Sequence, residues 1–511
     1  MNPLFLTDGY KTSHNKQYPE GTTLVYSNFT PRSNKYAPKG CDEVVVFGPQ
    51  MVMGQLHELF NKEFFLQPKH IVCGEMKEEL SLYLGTDYDV SHFEALWDLQ
   101  YLPIKVKSLP EGTKAPIKVP VFTIYNTHPD FYWITNYLET ILSNLLWKPM
   151  TSATIAHQYR KILTKWMEKT DKERAWFIDW QGHDFSMRGM DSVDAVISSG
   201  LGHLTSFSGT DSLPAIYGAR KFYGEEGFVG GSVPATEHSV MCAGGKEDEI
   251  ETFRRLLKTY PTGILSVVSD TWDLWKVCTE HIVTLKDEIL ARDGKLVIRP
   301  DSGDPVDILC GAYHTINSGD EQNLDYNYPK YGVEEGSPEY KGVIELLWDV
   351  FGGTINEQGY KVLDSHIGAI YGDSITIDRA NEICKRLEAK GFASTNVVLG
   401  IGSFTYQYNT RDTFGFAMKA TYVEVLKPIE GKSKEEWIFE GREIFKDPIT
   451  DDGTKKSATG LLRVTTGEGG YKLVDRQTWA GEQTGELQPI YEDGIFYNLT
   501  TLTEIRERLK K

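Results

Sequence analysis

Paired cysteines, long apolar runs and basic tracts are all missing from this chain of 511 residues. Its six cysteines, Cys41, Cys73, Cys242, Cys278, Cys310 and Cys384, are widely scattered and include no C-x-x-C pair. That argues against a disulfide framework or a zinc site and for reduced thiols in a cytoplasmic protein. No stretch has the length and apolarity of a membrane-spanning helix. The run Met1 to Asp8 lacks a basic region followed by an apolar segment, so no secretory leader is expected. The tripeptides Asn28-Phe29-Thr30 and Asn498-Leu499-Thr500 accordingly mean little as glycosylation sites. Positive charge is in deficit, with 54 Lys and Arg against 72 Asp and Glu and a formal net charge of −18. A general affinity for nucleic acid or anionic membrane is excluded on that ground, though a local basic pocket for a phosphorylated metabolite is not. There is no low-complexity linker, short repeat or Walker A loop.

What is present is a rhythm. From Leu24 to about Ile124, short β-like runs such as Glu43–Phe47 and Ile117–Phe122 mix with helical pieces, and Asp130 to Lys169 reads as helix. From Trp176 onward, apolar runs repeatedly end in Gly, Ser, Asp, Arg or His. Ala175–Ile178 leads to Gly182-His183-Asp184-Phe185 and Arg188, Leu204–Phe207 to Asp211, and Phe228-Val229 to Gly231-Ser232-Val233-Pro234-Ala235-Thr236-Glu237-His238. Gly263–Val268 leads to Ser269-Asp270, Lys295–Ile298 to Arg299-Pro300-Asp301, Ile367–Tyr371 to Gly372-Asp373, and Asn396–Leu399 to Gly400-Ile401-Gly402-Ser403. Amphipathic helices are expected between them, for example over Glu247–Lys258, Thr271–Ala291 and Ile377–Lys390. Most strand ends are about thirty residues apart, the spacing of a strand plus a crossover helix. The expectation is an α/β chain: a (β/α) barrel over 171–404, with an insertion near 305–366 that includes a helix near Val343–Phe351. It packs on a mixed α+β domain formed by 1–170 and 405–511. An open doubly wound sheet is the rival, with ligands likewise at the strand C-termini.

The strand ends can do chemistry. Asp270, Asp301 and Asp373 either hold Mg²⁺ with a phosphorylated ligand or cap the helices that follow. Arg188, Arg299 and Arg411 are bidentate donors for phosphate or carboxamide, and the Gly400–Ser403 loop can present backbone N–H groups to a phosphate. His238 can act as nucleophile, acid or base, or simply as a hydrogen-bonded turn residue. Asp8, Tyr10 and Arg32, and the basic cluster of Lys446 with Lys455-Lys456, have surface roles as their alternative. From the residues alone the result is a Mg²⁺-assisted enzyme on a phosphorylated small molecule.

These motifs, in this order, resemble the nicotinamide phosphoribosyltransferases of the type II phosphoribosyltransferase family: Thr7–Lys11, His183–Phe185 with Arg188, Gly209–Asp211, Ser232–Ser239, Ser266–Asp270, Ile298–Gly303, Thr410–Asp412 and Phe445–Pro448. The likeness covers nearly the whole chain. It implies a head-to-tail homodimer with shared active sites that makes nicotinamide mononucleotide and pyrophosphate from nicotinamide and phosphoribosyl pyrophosphate, in NAD biosynthesis. Mg²⁺ and, as a facultative co-substrate, ATP are implied with it. By this resemblance Phe185 and Tyr10 of the partner subunit sandwich the pyridine ring, Asp211 accepts from the carboxamide N–H₂, and Arg299 donates to its oxygen. His238 is the phosphorylated relay for ATP, oriented by Glu237 or another carboxylate. Asp270, Asp301 and Asp373 serve Mg²⁺, pyrophosphate or ribose, and Gly402, Ser403 and Arg411 hold the ribose phosphate. Arg32, Lys419, Lys446 and Lys455 cradle pyrophosphate or ATP, and Asp8, Arg188, Ser232, Ser266 and Gly372 complete the substrate-binding set. The chain departs from the family at Gly402-Ser403-Phe404, where a run of glycines is usual, and at Ala417, where a hydroxyl is familiar. The rivals are a nicotinate phosphoribosyltransferase, disfavoured by a carboxylate at Asp211, a Mg²⁺-dependent barrel hydrolase, and a non-catalytic binding protein.

Overall fold

The computed structural model describes residues 1–316, 326–430, 432–433, 436–445 and 458–511. The chain divides into two compact units, one of residues 1–154, 217–227 and 409–511, the other of residues 155–216 and 228–408. Residues 155–170 thus fall with the second unit, and 217–227 with the first.

In the first unit, the two ends of the chain build one sheet. Its strands run in the order Ile438–Glu443, Ala417–Lys427, Thr22–Thr30, Phe122–Asn126, Ile104–Ser108, Gln488–Glu492 and Ile495–Phe496, every neighbour antiparallel. The Thr22–Thr30 strand alternates against Ala417–Lys427, and Phe29 buries its ring on Phe416, with centroids 5.1 Å apart and planes within 4°. The β-like run expected over Ile117–Phe122 is displaced: the strands are Lys114–Pro116 and Phe122–Asn126.

The second unit holds six parallel strands: β1 (Gly182–Asp184), β2 (Gly209–Thr210), β3 (Thr262–Val268), β4 (Asp293–Arg299), β5 (Ile367–Tyr371) and β6 (Val397–Ile401). Their order is β2-β1-β6-β5-β4-β3. The outer strands β2 and β3 are joined through the segment 231–235, where Gly231 bridges Gly209 and Ala235 bridges Ser266, both parallel. Backbone pairing therefore runs around a closed ring, with the histidine turn as its last stave. Helices cover the strands from outside, as an all-parallel sheet requires. Ile377–Ala389 shows how: Thr376 caps it by accepting from the Arg379 N–H, and Ala380, Ile383, Cys384 and Leu387 place one apolar stripe in the core. The expected helix at Val343–Phe351 is present with those bounds.

Three expected strands are corrected. Ala175–Ile178 is helical, and the strand comes just after it, at Gly182–Asp184. Leu204–Phe207 is a helix end, with β2 following. Phe228-Val229 lies in no strand, and only the bridges of Gly231 and Ala235 take its place in the ring. Among the described residues no helix is long and apolar enough to cross a membrane.

Candidate active site

The C-terminal ends of β1, β3, β4 and β5 supply the chemistry. Whether the strand-end aspartates are helix caps is decided by their neighbours. The caps are Asp273, which accepts from the Lys276 N–H, Asp304, which accepts from the Val306 and Asp307 N–H groups, and Thr376. Each follows its strand-end aspartate by three residues, which leaves Asp270, Asp301 and Asp373 without a capping duty. Asp270 instead ties two strand ends together. Its Oδ2 accepts from the Asp301 N–H at 2.8 Å, the Ser302 N–H at 2.7 Å and the Ser302 hydroxyl at 2.6 Å. Its Oδ1 is buried and has no hydrogen-bond partner among the described residues.

His238 opens the helix His238–Gly244 and faces this pair. Its Nε2 is 3.9 Å from Asp270 Oδ1 and 3.7 Å from Asp301 Oδ2, and its Nδ1 lies 3.2 Å from the Thr271 hydroxyl. Glu237 does not orient it: its carboxylate accepts from the Ser239 hydroxyl. The carboxylates beside the imidazole are Asp270 and Asp301. Gly372 packs so closely here that a Cβ would come 2.8 Å from Asp301 Oδ1 and 3.0 Å from Arg299 Nε.

A second cluster lines an apolar cavity of about 350 Å³ inside the ring. His183 and Phe185 flank Asp184 along β1, so alternation puts both on one face. Their rings are 4.4 Å apart, and the Arg299 guanidinium lies 5.1 Å from the Phe185 centroid. Asp211 Oδ1 meets His183 Nε2 at 2.9 Å and accepts from the Ser232 hydroxyl at 2.5 Å. Burial opposes the Asp211 charge, but the bonds from His183 and Ser232 and the charges of His183 and Arg299 outweigh it and hold the carboxyl below its ordinary range. Two polar atoms in the same wall, Arg299 Nε and Ser266 Oγ, are buried without a hydrogen-bond partner among the described residues. Buried donors of this kind are costly unless something binds them.

The other expected residues are less engaged. Arg188 is exposed on the turn Met187–Gly189, and Ser403 Oγ sits where a Cβ of Gly189 would be. Gly402 lies directly under the Asp373 carboxylate. In the first unit Arg32 and Arg411 are near enough that burial, and then the Arg411 charge, lower the Arg32 pKa against the pull of Asp412. Lys419 and Lys11 share Glu139, at 3.9 Å and 2.9 Å. Asp8 accepts from the Thr140 hydroxyl at 2.7 Å, and Tyr10 is 63% exposed. Lys446 and Lys455 lie outside the described residues. Sequence reasoning missed His183, Thr271 and Ser302 as site residues. The alternation of His183 with Phe185 was the available signal for the first.

Residues 180–478 match the nicotinate phosphoribosyltransferase (NAPRTase) family, and residues 2–95 match the nicotinamide phosphoribosyltransferase N-terminal domain. Two solved structures share the fold: human nicotinic acid phosphoribosyltransferase (TM-score 0.54, 15% identity, 99% of this chain and 93% of that one) and nicotinate-nucleotide pyrophosphorylase from Pyrococcus furiosus (TM-score 0.53, 15% identity, 100% and 94%). The class is thus a pentosyltransferase of the type II phosphoribosyltransferase fold. Curated relatives narrow it. The chain is 50% identical over 521 residues to the nicotinamide phosphoribosyltransferase of Acinetobacter baylyi, covering 100% of this chain and 97% of the relative. It is 33% identical over 514 residues to that of Xanthomonas campestris, covering 99% and 97%. The chain belongs to the nicotinamide phosphoribosyltransferase family.

Proposed function

We propose that the protein joins nicotinamide to phosphoribosyl pyrophosphate, releasing nicotinamide mononucleotide and pyrophosphate. The observation that carries this reading is an acceptor carboxylate, Asp211, held on His183 whose ring neighbours Phe185, and a donor beside the Phe185 ring, Arg299 Nε, that is unpartnered among the described residues. A carboxamide needs one of each, its N–H₂ donating to Asp211 and its oxygen accepting from Arg299. A nicotinate carboxylate would instead meet a carboxylate held ionised.

In the reaction the pyridine nitrogen attacks C1 of the ribose as the C1–O bond to pyrophosphate breaks. That nitrogen carries no proton, so no general base is needed. The work is alignment of the ring by Phe185 and stabilisation of the charge that leaves. The orphaned Asp270 Oδ1, with Asp301 across His238, fits a hard cation bound through oxygen. Among the described residues no three His, Cys, Asp or Glu could hold a metal between them, so the pyrophosphate and water would complete the shell. Mg²⁺ bound there supplies positive charge for the departing pyrophosphate. Gly372 borders this group, the Asp373 carboxylate lies over Gly402, and Arg32 with Arg411 forms an anion-binding pair in the first unit.

His238 has a second task in this reading: its imidazole takes the γ-phosphoryl group of ATP, a P–N bond forming as the P–O bond to ADP breaks. The Thr271 hydroxyl orients the ring through Nδ1, and the two carboxylates face its Nε2. The enzyme acts as a homodimer, and the 63% exposure of Tyr10 suits a ring lent to a partner's site. The test is incubation of the purified protein with nicotinamide, phosphoribosyl pyrophosphate and Mg²⁺. Nicotinamide mononucleotide and pyrophosphate should appear in equal amounts. Product from nicotinate alone, or hydrolysis alone, would overturn the reading.

A further inference from the structure

Asp184 stands between the two residues, His183 and Phe185, that face the pocket, and strand alternation turns its side chain the opposite way. It is completely buried, at 0% exposure. The helix Val193–Leu204 closes over it: a Cβ on Gly200 would lie 3.6 Å from Asp184 Oδ2 and 2.7 Å from the Ala215 Cβ. The carboxylate forms no ion pair among the described residues. A buried charge without a counter-charge is costly, and an apolar side chain of similar volume would serve stability as well or better.

Both carboxylate oxygens lead instead to residues that handle the base. Oδ1 accepts from the Ser186 N–H at 2.9 Å, which closes the turn around Phe185, while the Phe185 N–H donates to the Ile401 carbonyl of β6 at 3.0 Å. Oδ2 accepts from the Thr210 hydroxyl at 3.4 Å, and that hydroxyl oxygen accepts in turn from the Ser212 N–H at 3.0 Å. The main-chain carbonyl of Asp184 accepts from the Asp211 N–H, also at 3.0 Å. Asp211 is thus held through both its neighbours and its own amide, all by one residue. The backbone needs this support, because β2 is only two residues long and pairs with β1 at two positions, His183 with Gly209 and Asp184 with Thr210.

We propose that Asp184 is a positioning residue for base selection: it fixes the stacking ring of Phe185 and the acceptor carboxylate of Asp211 in one mutual geometry without touching the base. Its Oδ1 sets the Phe185 turn, and its Oδ2 acts on Asp211 through Thr210. This role rests on the nicotinamide transfer proposed above, and it places part of the base selectivity outside the pocket wall.

Steady-state kinetics of Asp184→Asn, Thr210→Val and Thr210→Ser, with nicotinamide and nicotinate in competition, test this on the full chain. Thr210→Val keeps the shape of the side chain and removes the hydroxyl, so KM for nicotinamide should rise at least about tenfold, the worth of one hydrogen bond to a charged group. KM for phosphoribosyl pyrophosphate should not change, and the preference for nicotinamide over nicotinate should fall with the rise in KM. Thr210→Ser restores the hydroxyl and should restore both. Asp184→Asn should act in the same direction, and adding Thr210→Val to it should do little more, because the two cut one path. A folded Thr210→Val with unchanged nicotinamide KM and unchanged preference would overturn the proposal. So would a loss spread equally over both substrates, which a merely structural role would give, and the same criteria apply to Asp184→Asn. A wild type that forms no nicotinamide mononucleotide would overturn the transfer reaction and this role together, which tells the two failures apart.

Discussion

Replacing Asp211 by Asn is the sharpest perturbation the site allows, because it changes charge without changing shape. The Asn oxygen still accepts from His183 and Ser232, which now hold Oδ1 at 2.9 Å and 2.5 Å, so the fold around β2 should survive. Nicotinamide loses a charge-assisted hydrogen bond, worth about 1.5–3 kcal/mol, or roughly 10- to 150-fold in kcat/KM. Nicotinate loses a repulsion. Two carboxylates about 4 Å apart at an effective dielectric near 20 repel by about 4 kcal/mol. The Asp211 side chain is 42% exposed, so solvent screening should leave about half of that. The ratio of kcat/KM for nicotinamide over nicotinate should therefore fall by about a thousandfold. The assay is a competition of both bases for limiting phosphoribosyl pyrophosphate, with the two mononucleotides separated by chromatography. An unchanged ratio, with the variant folded, would refute the role of Asp211 and the carboxamide orientation built on it.

Other expectations are equally concrete. Mass spectrometry after ATP treatment should find acid-labile phosphate on wild type and none on His238→Ala, which should keep some transferase activity; its absence from wild type would sink the relay. Gly372→Ala should displace Asp301 and Arg299 together and lower kcat/KM by more than about tenfold with little change in Tm, since the backbone there is ordinary. Glu249, 3.3 Å from His281 and with Oε1 unpartnered, is pushed up to about 7, first by burial, with Asp273 adding to it against Lys276. The folded state then binds the proton more tightly than the unfolded one, so stability should fall as pH rises from about 4.5 to 7 and level off above. Glu249→Gln should flatten that slope and raise Tm at pH 8; an unaltered Tm–pH curve would argue against it.

How far the sequence could be read depended on how each element is built. Strands β5 and β6 are buried almost throughout, and β3 and β4 carry Val, Ile and Leu in their later, more buried halves, so all four stand out without any context. Strands β1 and β2 are Gly182-His183-Asp184 and Gly209-Thr210, too short and too polar to stand out from their neighbours. The nearby apolar runs at Trp176 and Leu204 are more conspicuous in sequence, but they belong to helical segments that end just before those two strands. The site shows the same division. Asp270, Asp301, Arg299 and His238 follow from strand-end position, but the partner of the imidazole does not. Glu237 is adjacent to His238 in sequence, while the carboxylates beside its ring come from the ends of other strands. Tertiary neighbours of this kind carry no local signature.

The stave formed by residues 231–235 has a thermodynamic consequence. It is tied to β2 and β3 by single bridges at each end, where β3 and β4 share seven paired positions. It is therefore the seam at which the ring opens at lowest cost, and amide hydrogen exchange at Gly231, Thr236 and Ser266 should outpace that of β4. Ser232 and His238 lie on or beside that seam. A ligand that grips both would stitch it shut, so slowing of exchange at these amides would report occupancy before any turnover takes place.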